Sequence, residues 1–148
     1  MKIVINSIDA TSSAPRGFTP LASYLVRFGS STFSGSARLV PASGFADAQP
    51  GDQVVVELAQ ESVSDFKVCG TLPPESVQAL PQPGDFMVCG IVTDVVLASE
   101  PAGNRFTYVR AGEAYFCLSL EEIGDCRPER GSAVEFIVHD VSLWDEAI

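Results

Sequence analysis

The chain is expected to be all-β: two related small β-barrel or sandwich units, separate or merged into one sheet, with one or two short helical turns. Three observations carry this expectation. Gly131–Trp144 reads G-S-A-V-E-F-I-V-H-D-V-S-L-W, so Val134, Phe136 and Val138 point one way and Glu135, Ile137 and His139 the other. That is the period-two pattern of a half-buried strand. The stretch has an echo in Gly51–Asp65, G-D-Q-V-V-V-E-L-A-Q-E-S-V-S-D, which sets Val54, Val56 and Leu58 on Val134, Phe136 and Val138. The apolar residues are rich in Val, Phe and Ile, which favour strands, and ten Pro and twelve Gly supply turns between them.

The elements follow in order. Lys2–Ile8 alternates weakly and reads as an opening strand, and Asp9–Pro20 is a loop of turn residues. Leu21–Gly29 and Thr32–Val40 form a hairpin across Gly29-Ser30-Ser31. Pro41–Pro50 is a loop in which Phe45 is placed to plug a barrel end, and Pro50-Gly51-Asp52 launches a strand over Gln53–Gln60. A short strand over Ser64–Gly70 follows. Thr71–Pro83 holds four of the ten prolines; it reads as a linker, with a helical turn over Glu75–Leu80 started by Pro74. Phe86–Ala98 is a long bent strand in which Gly90 marks a bulge or a close backbone approach. Glu100–Asn104 is a turn, and Arg105–Arg110 and Glu113–Leu118 pair across Ala111-Gly112. Ser119-Leu120-Glu121-Glu122-Ile123-Gly124 has the form of a capped helical turn: Ser119 at the N-cap, Glu122 at the capping-box position and Gly124 at the end. Arg127–Gly131 turns into the last long strand.

Both halves therefore run opening strand, loop, hairpin, loop, glycine turn, long strand, which reads as an internal duplication. The expected units are 1–70 and 84–148, joined by the Pro-rich stretch 71–83. The order strand, bulge, hairpin, helical turn, strand over Phe86–Trp144 resembles a small Greek-key barrel of the oligonucleotide-binding type. An SH3-like barrel or a plain sandwich gives nearly the same order.

Charge is uneven. The formal net charge is -10; residues 1–82 hold five Lys/Arg against seven Asp/Glu, and residues 83–148 hold four against twelve. Such a surface repels phosphate backbones and attracts basic ones. The start, M-K-I-V-I-N-S-I-D-A, lacks the long apolar run of a signal peptide, and no stretch has the length of a membrane span. A cytoplasmic location and no membrane partner are expected, with Cys69, Cys89, Cys117 and Cys126 as reduced thiols.

Few residues carry the chemistry of a reaction. His139 is the single histidine; Asp140 beside it points to the opposite strand face, so the two do not form a general-base pair. Nothing in the spacing pairs His139 with a thiol. The cysteines are too far apart in sequence for a zinc knuckle, so neither metal nor cofactor is expected. Val-Cys-Gly recurs at Val68–Gly70 and Val88–Gly90, which suggests Cys69 and Cys89 side by side in adjacent strands. Phosphate-loop and nucleophile-elbow motifs are absent. Phe106, Tyr108 and Arg110 share a strand face with Tyr115 opposite, the arrangement that stacks bases and holds phosphates in single-strand binders; the surrounding carboxylates oppose it. Trp144, among acids, is either an interface anchor or a buried cap on the barrel.

The function expected is therefore non-catalytic binding: an acidic protein covering the basic surface of a protein partner, in concrete form an immunity-type inhibitor of a nuclease toxin. Glu121, Glu122, Asp125, Asp140, Trp144, Asp145 and Glu146 are the expected partner face. The alternative is an oligonucleotide-binding barrel that takes single strands on Phe106, Tyr108, Arg110 and Tyr115.

Overall fold

The structure is a computed structural model that describes residues 1–14, 21–42, 48–98 and 103–146. Phe45 and most of the Glu100–Asn104 turn lie outside the described residues. Among the described residues, eleven strands and one helical turn follow in order: β1 Lys2–Ala14, β2 Leu21–Gly29, β3 Ser34–Val40, β4 Gln53–Ala59, β5 Ser62–Cys69, β6 Ser76–Ala79, β7 Phe86–Leu97, β8 Arg105–Ala111, β9 Ala114–Ser119, α1 Leu120–Ile123, β10 Ala133–His139 and β11 Ser142–Asp145. The fold is all-β, as expected.

Three of the elements differ from expectation. The single strand read over Gly131–Trp144 breaks at Asp140, φ 48°, into β10 and β11, which join different sheets. β1 runs to Ala14 through residues expected to form a loop, because β2 is long enough to pair with it to its end, Ala14 opposite Leu21. Ser76–Ala79 is a strand and not a helical turn. It lies along Phe86–Cys89 of β7, and Val77, opposite Val88, is buried. The open edge of β7 over Phe86–Cys89 needs pairing more than four residues between prolines need a helix, which has little stability at that length.

Strands β1-β2-β3-β11-β4 close into a barrel, and β5-β10-β7-β8-β9 form the second sheet with β6 added to β7. The pairing repeats. In the first half β1 pairs antiparallel with β2, β2 with β3, and β1 with β4. In the second, β7 pairs with β8, β8 with β9, and β7 with β10 in the same sense. The strand beside β4 is β11 and the strand beside β10 is β5. Each unit thus takes its fifth strand from the other half of the chain. Two crossings, Gln60–Glu61 and Asp140–Val141, run side by side: the Glu61 N–H donates to the His139 carbonyl at 3.0 Å, and Ser142 lies opposite Ala59. Strand pairing accordingly runs across the boundaries at 70 and 84. β11 also pairs parallel with β3, which closes the barrel.

The echo in the sequence falls on β4 and β10, the fourth strands of the two units. Val54 and Val56 are buried and Leu58 half-buried; Val134, Phe136 and Val138 are fully buried. One continuous apolar core joins the units, and its seam is aromatic. Phe86 on β7 meets Phe28 and Phe33 of the barrel half with ring centroids at 6.3 and 5.6 Å. Gly35 makes room for it: a Cβ there would lie 2.5 Å from the Phe86 ring. Gly90 marks a close approach, since its Cβ would lie 2.6 Å from the Arg110 carbonyl oxygen, while the bulge in β7 comes later, between Val92 and Asp94. Among the described residues no helix is long and apolar enough to cross a membrane.

Candidate functional site: an acidic, tyrosine-lined groove

Period two in β4 puts Val54 and Val56 inside and Val55 and Glu57 outside. The same alternation in β8 buries Thr107 and Val109 and turns Tyr108 outward; in β9 it buries Phe116 and exposes Tyr115 and Cys117. The β8–β9 turn leans on the first half, where the Glu113 N–H donates to the Thr32 hydroxyl at 3.1 Å. The two units leave a groove between them of about 280 Å³. Met1, Glu57, Tyr108, Glu113, Tyr115 and Glu146 line it. A second concavity, of about 580 Å³ along Lys2, Val4 and Gln53, shares Glu113. The Glu146 N–H donates to the Val55 carbonyl at 2.9 Å and holds this residue beside the groove.

Three carboxylates face this groove with no lysine or arginine among its lining residues; the cation there is the Met1 ammonium, which donates to the Val56 carbonyl at 2.7 Å. Among the described residues the arginines and lysines near acids are engaged elsewhere: Arg27 with Asp9, Arg38 with Asp140, Lys67 with Glu135 and Arg110 with Glu75. Tyr108 is held above the ordinary phenol range, first by its hydrogen bond with the Cys117 thiol. Trp144 is 44% exposed and its indole N–H donates to the Ser142 hydroxyl at 2.9 Å. It lies opposite Glu57 across the β4–β11 ladder, so both side chains share the outer face beside the groove. The reading of Trp144 as a buried cap is therefore overturned: the inward position is filled by Leu143.

The other expected partner residues are spread. Glu121 and Asp125 are exposed around α1. Glu122 closes the capping box with its Oε2 accepting from the Ser119 N–H at 2.7 Å, and its other oxygen lies 3.5 Å from the Gln60 amide. The Gln60 amide also donates to the Cys117 carbonyl at 2.7 Å, which ties α1 to one rim of the groove. Asp145 Oδ2 accepts from the Ala42 N–H at 3.4 Å. Asp140 stands away from these, 3.8 Å from Arg38. The four strand residues of β11 and Val141 separate it from Glu146. Phe106, Tyr108, Arg110 and Tyr115 do share the outer face of β8–β9, but Phe106 is half-buried and Arg110 donates to Glu75 Oε1 at 3.1 Å.

Cys69 and Cys89 are not in adjacent strands: β10 lies between β5 and β7, with Ala133 opposite Cys69 and Glu135 opposite Cys89. All four cysteines are free thiols. Burial pushes the Cys89 thiol up, and the Glu135 carboxylate beside it adds to that. Among the described residues no group of three His, Cys, Asp or Glu side chains is placed to hold a metal ion.

His139 has partners that the linear chain does not announce. Its Nδ1 lies 2.9 Å from Asp85 Oδ2 and its Nε2 lies 2.7 Å from the Ser64 hydroxyl. Asp85 Oδ1 accepts from the Asp140 N–H at 3.1 Å. Partial burial acts to raise the Asp85 carboxyl, but the hydrogen bonds from His139 and Asp140 outweigh it and hold the group below its ordinary value. These residues come from β5, the turn before β7 and the end of β10, on the outer face of the second sheet.

No family model, curated protein or solved structure matches the chain.

Proposed function

We propose that the chain is an acidic binding protein of two oligonucleotide-binding-type units whose inter-unit groove receives a basic protein partner. The carrying observation is the groove itself, three carboxylates and two exposed tyrosines with no basic side chain lining it. Carboxylates there raise the local concentration of cationic groups and speed encounter. Tyr108, Tyr115 and the neighbouring Trp144 supply rigid aromatic area, the kind that anchors interfaces. An immunity-type inhibitor of a nucleic-acid-cleaving toxin, acting in the cytoplasm, is the concrete form of this reading. Such a toxin must expose a cationic surface to phosphates, and carboxylates match it. The unit type is supported by the repeated pairing of first strand with second and fourth, by the parallel β3–β11 pair in the closed first unit and by α1 between third and fourth strands in the second.

The test is anisotropy of a labelled lysine- and arginine-rich peptide against the protein at rising salt. Binding is expected to weaken steadily with salt, to be lost in E57Q/E113Q/E146Q and to persist in E129Q, whose carboxylate lies off the groove. Equal binding by the triple variant, or tighter binding of a single-stranded oligonucleotide than of the peptide, would remove the proposal.

A further inference from the structure

The outer face of the second sheet carries a chain of hydrogen bonds, Ser64 to His139 to Asp85, beside a separate cavity. We propose that Ser64 is an activated nucleophile that accepts the acyl group of a small carboxylic ester, with His139 as its base and Asp85 as the residue that orients the imidazole. This does not rest on the acidic groove, which is a different surface.

The tautomer follows from the partners. An ionised Asp85 only accepts, so the 2.9 Å contact places the proton of a neutral imidazole on Nδ1. Nε2 is then an acceptor, 2.7 Å from the Ser64 oxygen and in reach of its proton. Asp85 cannot swing away, because its second oxygen is held by the Asp140 N–H. Asp140 is in the left-handed region, φ 48°, at the chain crossing. The imidazole is about one-third exposed and Asp85 mostly covered, so the base end is reachable while the orienting end is shielded. The Ser64 hydroxyl has one competing acceptor, Asp65 Oδ2, at the longer distance of 3.3 Å.

The surroundings supply a place for substrate. Ser64 lies opposite Ile137, and Ile137 opposite Met87, so these three side chains form one row on the outer face. His139 and Asp85 are one row further along. A cavity of about 420 Å³ lies next to this row, lined by Asp65, Phe66, Met87 and Ile137 with the Lys67–Glu135 pair at its far side; Ser64 and His139 stand beside it and are not part of its lining. Its apolar part suits a short acyl chain. The β5 ladder skips at Asp65 and Phe66, which both oppose Phe136, and Asp65 takes φ 54°. A bulge takes a residue out of the ladder, and the Asp65 and Phe66 peptide groups, next to Ser64 in sequence, are the donors the proposal requires for the developing oxyanion.

The step balances without a cofactor. The Ser64 oxygen adds to the ester carbonyl carbon as its proton passes to His139 Nε2. The C–O bond to the alcohol breaks and that proton goes to the leaving oxygen. Water then gives a proton to Nε2 and its oxygen adds to the acyl carbon. Ser64 leaves with the proton, so ester and water become acid and alcohol.

The experiment uses the full chain with a fluorophosphonate probe and with p-nitrophenyl butyrate. Peptide mass mapping is expected to find the phosphonyl group on Ser64, and ester turnover is expected above the buffer rate. S64A should abolish both. H139Q, which can keep a hydrogen bond to Asp85, and D85N, which is nearly isosteric, should slow labelling by about a hundredfold or more while the far-UV spectrum is unchanged. Labelling of Ser64 no faster than of other exposed serines, or equal labelling in folded H139Q, overturns the proposal.

Discussion

Phe86→Ala tests whether the two units share one core. Phe86 is 1% exposed and stands at the seam, with Phe28 and Phe33 of the barrel half against its ring. Truncating a buried phenylalanine costs about 3–5 kcal/mol, from lost transfer and from the cavity left behind. That is a large share of a typical stability of about 5–15 kcal/mol. Phe86→Leu keeps most of the apolar volume but gives up the ring contacts, for about 0.5–1.5 kcal/mol. Urea unfolding followed by far-UV circular dichroism reports all strands. Fluorescence of Trp144, the one tryptophan, reports the barrel through β11. With a shared core and exchanged fifth strands, both signals should move together in wild type and in both variants. A barrel signal that stays in place while the far-UV midpoint drops would show that Phe86 serves the second unit alone.

Thr107 is fully buried and its hydroxyl has no partner among the described residues. Thr107→Val removes that orphaned group at nearly constant shape and is expected to stabilise by about 1–2 kcal/mol in thermal or urea unfolding; a loss would place an undescribed partner there. Ser119→Ala breaks the capping box of α1 and should cost about 1 kcal/mol in the same assay, with no change meaning that packing alone holds the turn. Asp85 is expected to contribute to acid stability. Its carboxyl is held low in the folded state, so its contribution is present above the unfolded value of about 3.9 and is lost as pH falls through the lower folded value. The stability gap between wild type and Asp85→Asn should therefore narrow on acidification through that window, and a gap independent of pH would mean the hydrogen bonds from His139 and Asp140 do not favour the charged form.

Much of the fold is legible in the chain because strands that bury one face must alternate. Val54–Leu58 and Val134–Val138 carry that alternation, and both are fourth strands. Ser119 and Glu122 spell a capping box, and it forms. The exchange of β5 and β11 between the units is not legible, since pairing partners far apart in sequence leave no local period. Ser76–Ala79 is misread for the same reason: four residues between prolines take their structure from β7. At the groove, Tyr108 and Tyr115 are singled out as hairpin aromatics placed to stack bases, and Glu146 by its charge near Trp144. Glu57 and Glu113 are missed, although their outward register, beside Val56 and after Gly112, is readable once the strands are in place. Ser64 and Asp85 have no signature near His139, because three separate elements bring them to it.

The most direct test of the acidic groove is amide chemical-shift mapping with the basic peptide at low salt. The largest shifts should cluster at Glu57, Tyr108, Glu113, Tyr115, Trp144 and Glu146, and should fade together as salt is raised. Shifts confined to Glu121, Glu122 and Asp125, or scattered over every exposed carboxylate, would contradict a groove that selects its partner and leave only a protein of bulk negative charge.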